Sequence, residues 1–149
     1  MKLEFLNSSL EAIDDLIAYE SLCCFIAEDE RPLQGAAGLI DWRLDGWLSQ
    51  LLLQKQFVGK LGEHLLFPND GRLSPAKTFA VGVGRCDELT VDRLATLFED
   101  AGQMIARALA DSVAVALPTL NLSPSGVQQV FLDSFSMHFH GRAALFRPL

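Results

Sequence analysis

The sequence predicts an α/β domain whose mixed, mostly parallel sheet is covered by helices on both faces. Strand-length apolar runs alternate with longer stretches that carry a 3.6-residue apolar period. Two of the runs, Leu22 to Ala27 (LCCFIA) and Val113 to Leu117 (VAVAL), are apolar throughout, as strands covered on both faces are. Two further runs are separated only by the turn-rich segment 68–77, so that pair can run antiparallel.

Each element has its own local cause. Residues 2–7 (KLEFLN) alternate apolar and polar and read as a half-buried strand. Ser8, with Glu11 three residues later, is a capping-box signature, and Leu10, Ile13, Leu16 and Ile17 then share a helical face. The apolar strand 22–27 follows. Residues 28–41 read as a charged loop ending in small residues. A helical stripe then runs through Ile40, Leu44, Trp47, Leu48, Leu51 and Leu52. Gly59 and Gly62 bracket Lys60 in a turn. Residues 64–67 (HLLF), stopped by Pro68, and 78–83 (TFAVGV), running into Gly84, are the two consecutive strands.

The clearest helix spans 91–109. Thr90 is its N-cap, Leu89 can staple to Leu94, and Val91, Leu94, Phe98, Ala101, Ile105 and Ala108 form the buried stripe. The strand 113–117 comes next. Ser123 then caps a helix that opens on Pro124 and carries Val127, Val130, Phe131, Ser134 and Phe135 inward. Gly141 is placed to end it in the left-handed conformation, before a last strand at 143–147.

The chain has 149 residues, half of them hydrophobic, and no internal repeat, so one domain over 1–149 is expected. Its net charge of −7, with no basic cluster, argues against nucleic acid and against anionic membrane surfaces. Glu4, Asn7, Glu11 and Asp14 interrupt the N-terminal apolar residues, which excludes a signal peptide, and no apolar run reaches bilayer length. Cytoplasm is the expected compartment. Cys23, Cys24 and Cys86 fit reduced thiols, because adjacent cysteines rarely meet disulfide geometry and Cys86 stands apart.

No catalytic constellation emerges. There is no GxSxG, HExxH or GxxxxGK[ST] pattern. His138 and His140 fit a helix C-terminus better than a zinc site, which needs about three protein ligands. No metal or cofactor is therefore expected. Of Trp42 and Trp47, one is expected in the core and the other partly exposed at an interface. The candidate ligand-binding residues are glycine-rich. Gly35, Ala36, Ala37 and Gly38 precede the helix carrying Ile40 to Leu52, where bare N–H groups could meet an anion, although close packing is the plainer explanation. Gly82 and Gly84 follow a strand, but position 87 is Asp where a dinucleotide fingerprint would need its third glycine.

The order and spacing of several segments resemble the N-terminal domain of the leucyl (cytosol) aminopeptidase family. They are the strands Lys2 to Asn7 and Cys23 to Ala27, a helix containing Gly46, and Phe57 to Phe67 (FVGKLGEHLLF). Phe79 to Glu88 (FAVGVGRCDE) leads to Thr90 and the long helix, and Val113 to Leu117 follows. The resemblance covers about residues 20 to 117 and implies a three-layer α/β/α sandwich similar to macro domains. It also implies that the two-metal peptidase site belongs to a different domain, whose NTDAEGRL-type motif has no match here. Macro domains bind ADP-ribose through glycine-rich loops, and 35–38 and 82–84 fall near such loops. Their aspartate after the second strand and their asparagine-rich loop are not evident, with Glu28 to Glu30 acidic at about that place.

The function expected from all this is a non-catalytic interaction or assembly module, self-associating or docking on a protein partner. The alternatives are a nucleotide or ADP-ribose-binding module and a regulatory subunit pairing in trans with a separate aminopeptidase chain.

Overall fold

The computed structural model describes residues 1–148; Leu149, the last residue of the expected domain, lies outside the described residues. Six strands form one sheet: β1 (Lys2–Leu6), β2 (Ser21–Ala27), β3 (His64–Pro68), β4 (Lys77–Gly84), β5 (Ser112–Ala116) and β6 (Arg142–Phe146). Their order is β1-β6-β5-β2-β4-β3. All neighbours run parallel except β3 and β4, which form the antiparallel pair expected across the turn-rich segment.

Five helices cover the sheet: α1 (Leu10–Asp14), α2 (Gly35–Arg43), α3 (Trp47–Leu53), α4 (Val91–Arg107) and α5 (Pro124–Phe135). Alternation along the strands separates two cores. Leu22, Cys24 and Ile26 face α1, α2 and α3, whereas Cys23, Phe25 and Ala27 face α4 and α5. The result is the three-layer α/β/α sandwich.

The two faces are unlike. Toward α2 the sheet presents Ala80, Ala114, Ala116 and Ala144, and α2 answers with Ala36, Ala37 and Ile40. Small side chains on both sides let helix and sheet approach closely. On the other face a file of rings fills a deeper layer. Phe98 meets Phe25 at 5.3 Å and Phe131 at 5.0 Å, both edge to face, and Phe131 stacks on Phe135 at 4.6 Å.

Several local expectations need correction. The stripe from Ile40 to Leu52 is two helices, not one, and 28–41 is not wholly loop, because α2 begins at Gly35. The break is Asp45–Gly46, both left-handed (φ 61° and 78°), a conformation that ends a helix. The buried Asp41 then caps α3 from the preceding helix: its carboxylate accepts from the N–H groups of Leu48 (2.8 Å) and Ser49 (3.3 Å) and from the Ser49 hydroxyl.

Ser9, not Ser8, caps α1, since the Ser8 hydroxyl is donated to the Arg147 carbonyl. The helix ends at Asp14, which leaves Ile17 exposed while Leu16 is buried. Val91 is exposed at the mouth of α4 and Leu97 joins the stripe instead. Gly141 has no positive φ. It is glycine because a Cβ there would lie 1.9 Å from the Asp111 carbonyl oxygen. Trp42 (71% exposed) and Trp47 (43% exposed) both lie outside the core, because the break at Asp45–Gly46 turns the two helices apart.

Thr90 and Ser123 cap α4 and α5 as expected, accepting from Arg93 N–H and Gly126 N–H. Among the described residues no helix is long and apolar enough to cross a membrane.

Phe98, fully buried at the junction of the sheet, α4 and α5, should be the costliest ring to remove. Phe98→Ala is expected to destabilise the fold by about 3–5 kcal/mol in chemical denaturation, and a midpoint that barely moved would refute this packing.

Candidate functional site

In a sheet of this kind, ligands bind beyond the carboxyl ends of parallel strands, where adjacent loops leave toward opposite faces. Here that place lies between β2 and β5. The chain leaves β2 toward α2 on one face and leaves β5 toward α5 on the other. A cavity of about 270 Å³ opens beside it. Its walls are mostly apolar and include Phe5, Leu117, Leu120, Val127, Leu145 and Phe146. Polar groups come from Ser8, Gln34, Thr119, Gln128 and Arg147.

Of the sequence candidates, Gly35 and Ala36 line this cavity, at the first turn of α2. Gln34 at the N-cap makes no capping bond with its side chain, so the first N–H groups of α2 have no side-chain acceptor there. Ala37 is buried against the sheet. Gly38 borders a separate, shallow depression with Leu33, Asp41 and Trp42. A Cβ on Gly38 would stand 2.6 Å from the Leu33 carbonyl oxygen, so packing explains this glycine.

Gly82 and Gly84 lie elsewhere, at the end of β4. There the ladder to β2 shifts register after Ile26, which pairs with Gly82, while Ala27 pairs with Gly84. The turn from Gly59 to Gly62 lies across the same strand: Gly84 N–H donates to the Gly59 carbonyl (2.8 Å) and Gly62 N–H to the Gly82 carbonyl (3.0 Å). A Cβ on Gly82 would come within 2.0 Å of the Lys60 carbonyl oxygen. Gly82 therefore admits a crossing backbone and Gly84 a left-handed turn (φ 74°), and the structure does not bring them together with 35–36.

The electrostatics of this end of the sheet are set by carboxylates. Glu30 reaches across the crevice: its Oε2 accepts from Thr119 N–H at 2.9 Å, tying the loop after β2 to the loop after β5. Asp29 accepts from Cys86 N–H at 2.9 Å. One oxygen of Glu63 accepts from the N–H groups of Val58, Gly59 and Lys60 at 2.9–3.1 Å. The three converging N–H groups on Glu63 form the kind of nest where a phosphate can bind, and the chain's own acid fills it.

The remaining nucleophiles and ligands are quiet. Cys86 is half-buried, and its thiol is pushed up to about 11, first by burial and then by Asp29, Glu30 and Asp87. Burial likewise raises Cys23 and Cys24. His138 bonds to Glu99 at 3.2 Å. Among the described residues no group of three or more His, Cys, Asp and Glu side chains could hold a metal ion.

The sequence reading missed most of the cavity wall, because Phe5, Ser8, Leu117 to Leu122 and Arg147 meet only through the sheet order. Their composition carried one usable signal, the two prolines at 118 and 124 that bound an irregular loop after a buried strand.

Comparison with known proteins agrees with this geometry. Residues 22–131 match the family model described as the cytosol aminopeptidase family, N-terminal domain. A Cyanothece protein described as a probable cytosol aminopeptidase is 22% identical over 113 residues, covering 76% of this chain and 23% of that protein. The chain thus spans about a quarter of that relative's length. Among solved structures, the macrodomain of Mycobacterium tuberculosis DarG superposes with a TM-score of 0.73 at 14% identity, covering 99% of this chain and 98% of that one. A mutant tomato leucine aminopeptidase gives a TM-score of 0.66 at 16% identity, covering 99% of this chain and 32% of that one.

If Gly38 is present for packing, bulk there must move the Leu33 backbone. Gly38→Val is expected to lower stability by about 1–3 kcal/mol, read as a shifted denaturation midpoint. An unchanged midpoint would show that the segment is free to meet a ligand.

Proposed function

Because this chain belongs to the cytosol aminopeptidase family through that family's N-terminal domain, we propose that it is a non-catalytic assembly module of the cytoplasm, working by protein contact as a single domain. The observation that carries this reading is the Glu30 bridge. A phosphate-bearing ligand in the crevice would have to meet the loop after β5, where a carboxylate already holds Thr119 N–H. That carboxylate also repels an incoming anion. Arg147 is the one cation among the cavity's lining residues, and its guanidinium is engaged by Asn7 at 3.0 Å.

A second reading, a nucleotide or ADP-ribose binder, is favoured by one observation. The cavity lies at the sheet's switch point, beside the first turn of α2. Calorimetric titration with ADP-ribose, ADP and AMP separates the two. No heat of binding is expected. A dissociation constant below about 100 μM, improved on removing the acid in Glu30→Gln, would overturn the assembly reading in favour of the second.

The same preparation should not hydrolyse leucyl-p-nitroanilide in the presence of zinc or manganese. Turnover that survived repurification and vanished with a point substitution in this chain would refute the non-catalytic reading.

A further inference from the structure

The carboxyl end of the sheet treats its polar and glycine-rich positions in two ways. Glu63 fills the nest at 58–60, and Gly38 and Gly82 are closed against backbone. Gly35 differs: a Cβ there would meet nothing within 4 Å. It lines the cavity of about 270 Å³.

That cavity straddles the strand ends. Phe146 belongs to the core beneath α2 and α3, and Leu145 to the core beneath α4 and α5, yet both line it. In the strand order β6 lies between β1 and β5. On the β1 flank stands Phe5, 37% exposed. On the β5 flank the loop beyond the strand brings Leu117, Leu120 and Leu122, each half-buried. Apolar side chains that keep such contact with solvent gain when an apolar body covers them.

Charge decides the kind of molecule. Among the described residues the cavity is lined by no Asp, Glu, Lys or His, and by one Arg. This Arg147 donates to the Asn7 side chain at 3.0 Å. Glu30 does not line the cavity, but it accepts from the N–H groups of two residues that do, Thr119 (2.9 Å) and Gln34 (3.4 Å). The two charges are opposite in sign and each is already hydrogen-bonded. An anion or a cation would therefore meet one repelling group, and would give up its hydration to walls that are mostly apolar. An uncharged polar head gives up less. The side-chain amide of Gln128 can both donate to it and accept from it.

We propose that this cavity binds a small uncharged molecule, with a single ring or a branched aliphatic body set against Phe5, Leu120 and Val127 and an amide or hydroxyl head at Gln128. An apolar cavity of about 150 Å³ admits a benzene ring. About 270 Å³ holds such a ring with a short head attached. Binding of this kind needs no second chain, so it stands apart from the assembly reading.

Benzamide, benzoate and benzamidine share one ring and differ in charge. Each is titrated into the isotopically labelled whole chain while the amide resonances are followed. Benzamide should give saturable shifts confined to the lining residues, with a dissociation constant below about 1 mM and about tenfold or more tighter than either ion. Leu120→Trp, which fills the cavity, should weaken benzamide by about tenfold or more. Leu120→Ser makes the same wall polar without filling it and should weaken binding as well, which serves if tryptophan disturbs the loop. Trp42→Ala, at an exposed ring outside the cavity, should change nothing. Shifts that fail to saturate by about 10 mM, or that centre on Trp42, would overturn the site. So would both Leu120 variants binding as the parent chain does. Either ion binding as tightly as benzamide would overturn the uncharged class, and displacement of benzamide by ADP-ribose would give the cavity to a nucleotide instead.

Discussion

The structure depends on one strand that has no solvent side. Every residue of β2 is buried, and it hydrogen-bonds to β4 on one flank and β5 on the other. Such a strand cannot be stable alone, because both of its faces need cover and both of its edges need partners. That requirement builds the rest. The long crossover through α4 carries the chain from β4 over to β5, closing the second flank and covering Cys23 and Phe25. The α2–α3 pair covers Leu22, Cys24 and Ile26. Each face is filled in its own manner, by small residues in close approach on one side and by a file of phenylalanines on the other.

Acidic side chains do much of the local work that capping residues and turns do elsewhere. Asp41 caps α3 from outside that helix, Glu63 gathers three N–H groups of a glycine-bracketed turn, and Asp29 and Glu30 hold the loops at the carboxyl end of the sheet. A carboxylate that accepts from backbone N–H groups makes hydrogen bonds stronger than neutral ones. The net charge of −7 is thus partly structural, not only a solvated surface. The consequence reaches function. Through Thr119, which lines the cavity, Glu30 ties the loop after β2 to the loop after β5.

Much of the fold was legible because its elements are punctuated locally. Thr90, Ser123 with Pro124, and the continuous apolar runs each carry their physical cause within a few residues. Apolar periodicity alone predicts one helix from Ile40 to Leu52, but the left-handed Asp45–Gly46 pair divides it in two. Ser8 lost its capping role to a contact with Arg147, at the far end of the chain, which no local pattern could reveal. The candidate site was less legible still. Gly35 and Ala36 belong to it, but Gly38 and Gly82 are glycine because another backbone comes within 2.0–2.6 Å of the missing Cβ, and Gly84 because its backbone is left-handed (φ 74°). A glycine motif records that something comes close; whether it is a ligand or the chain's own backbone is decided by the tertiary structure.

The register of β3 is set at the end of the sheet. The turn that crosses β4 is fixed by Gly59, Gly62, Gly82 and Glu63, and that turn delivers the chain into β3 with a set register. Shifting the register by one residue would place Leu66 in the core and expose Leu65 and Phe67, so the pattern of side chains and the pattern of free backbone donors are locked together. The glycines that looked like a ligand loop therefore determine instead which backbone groups the sheet offers at its uncharged edge. The glycine-bracketed turn whose N–H groups Glu63 accepts is thus also what sets the register of β3.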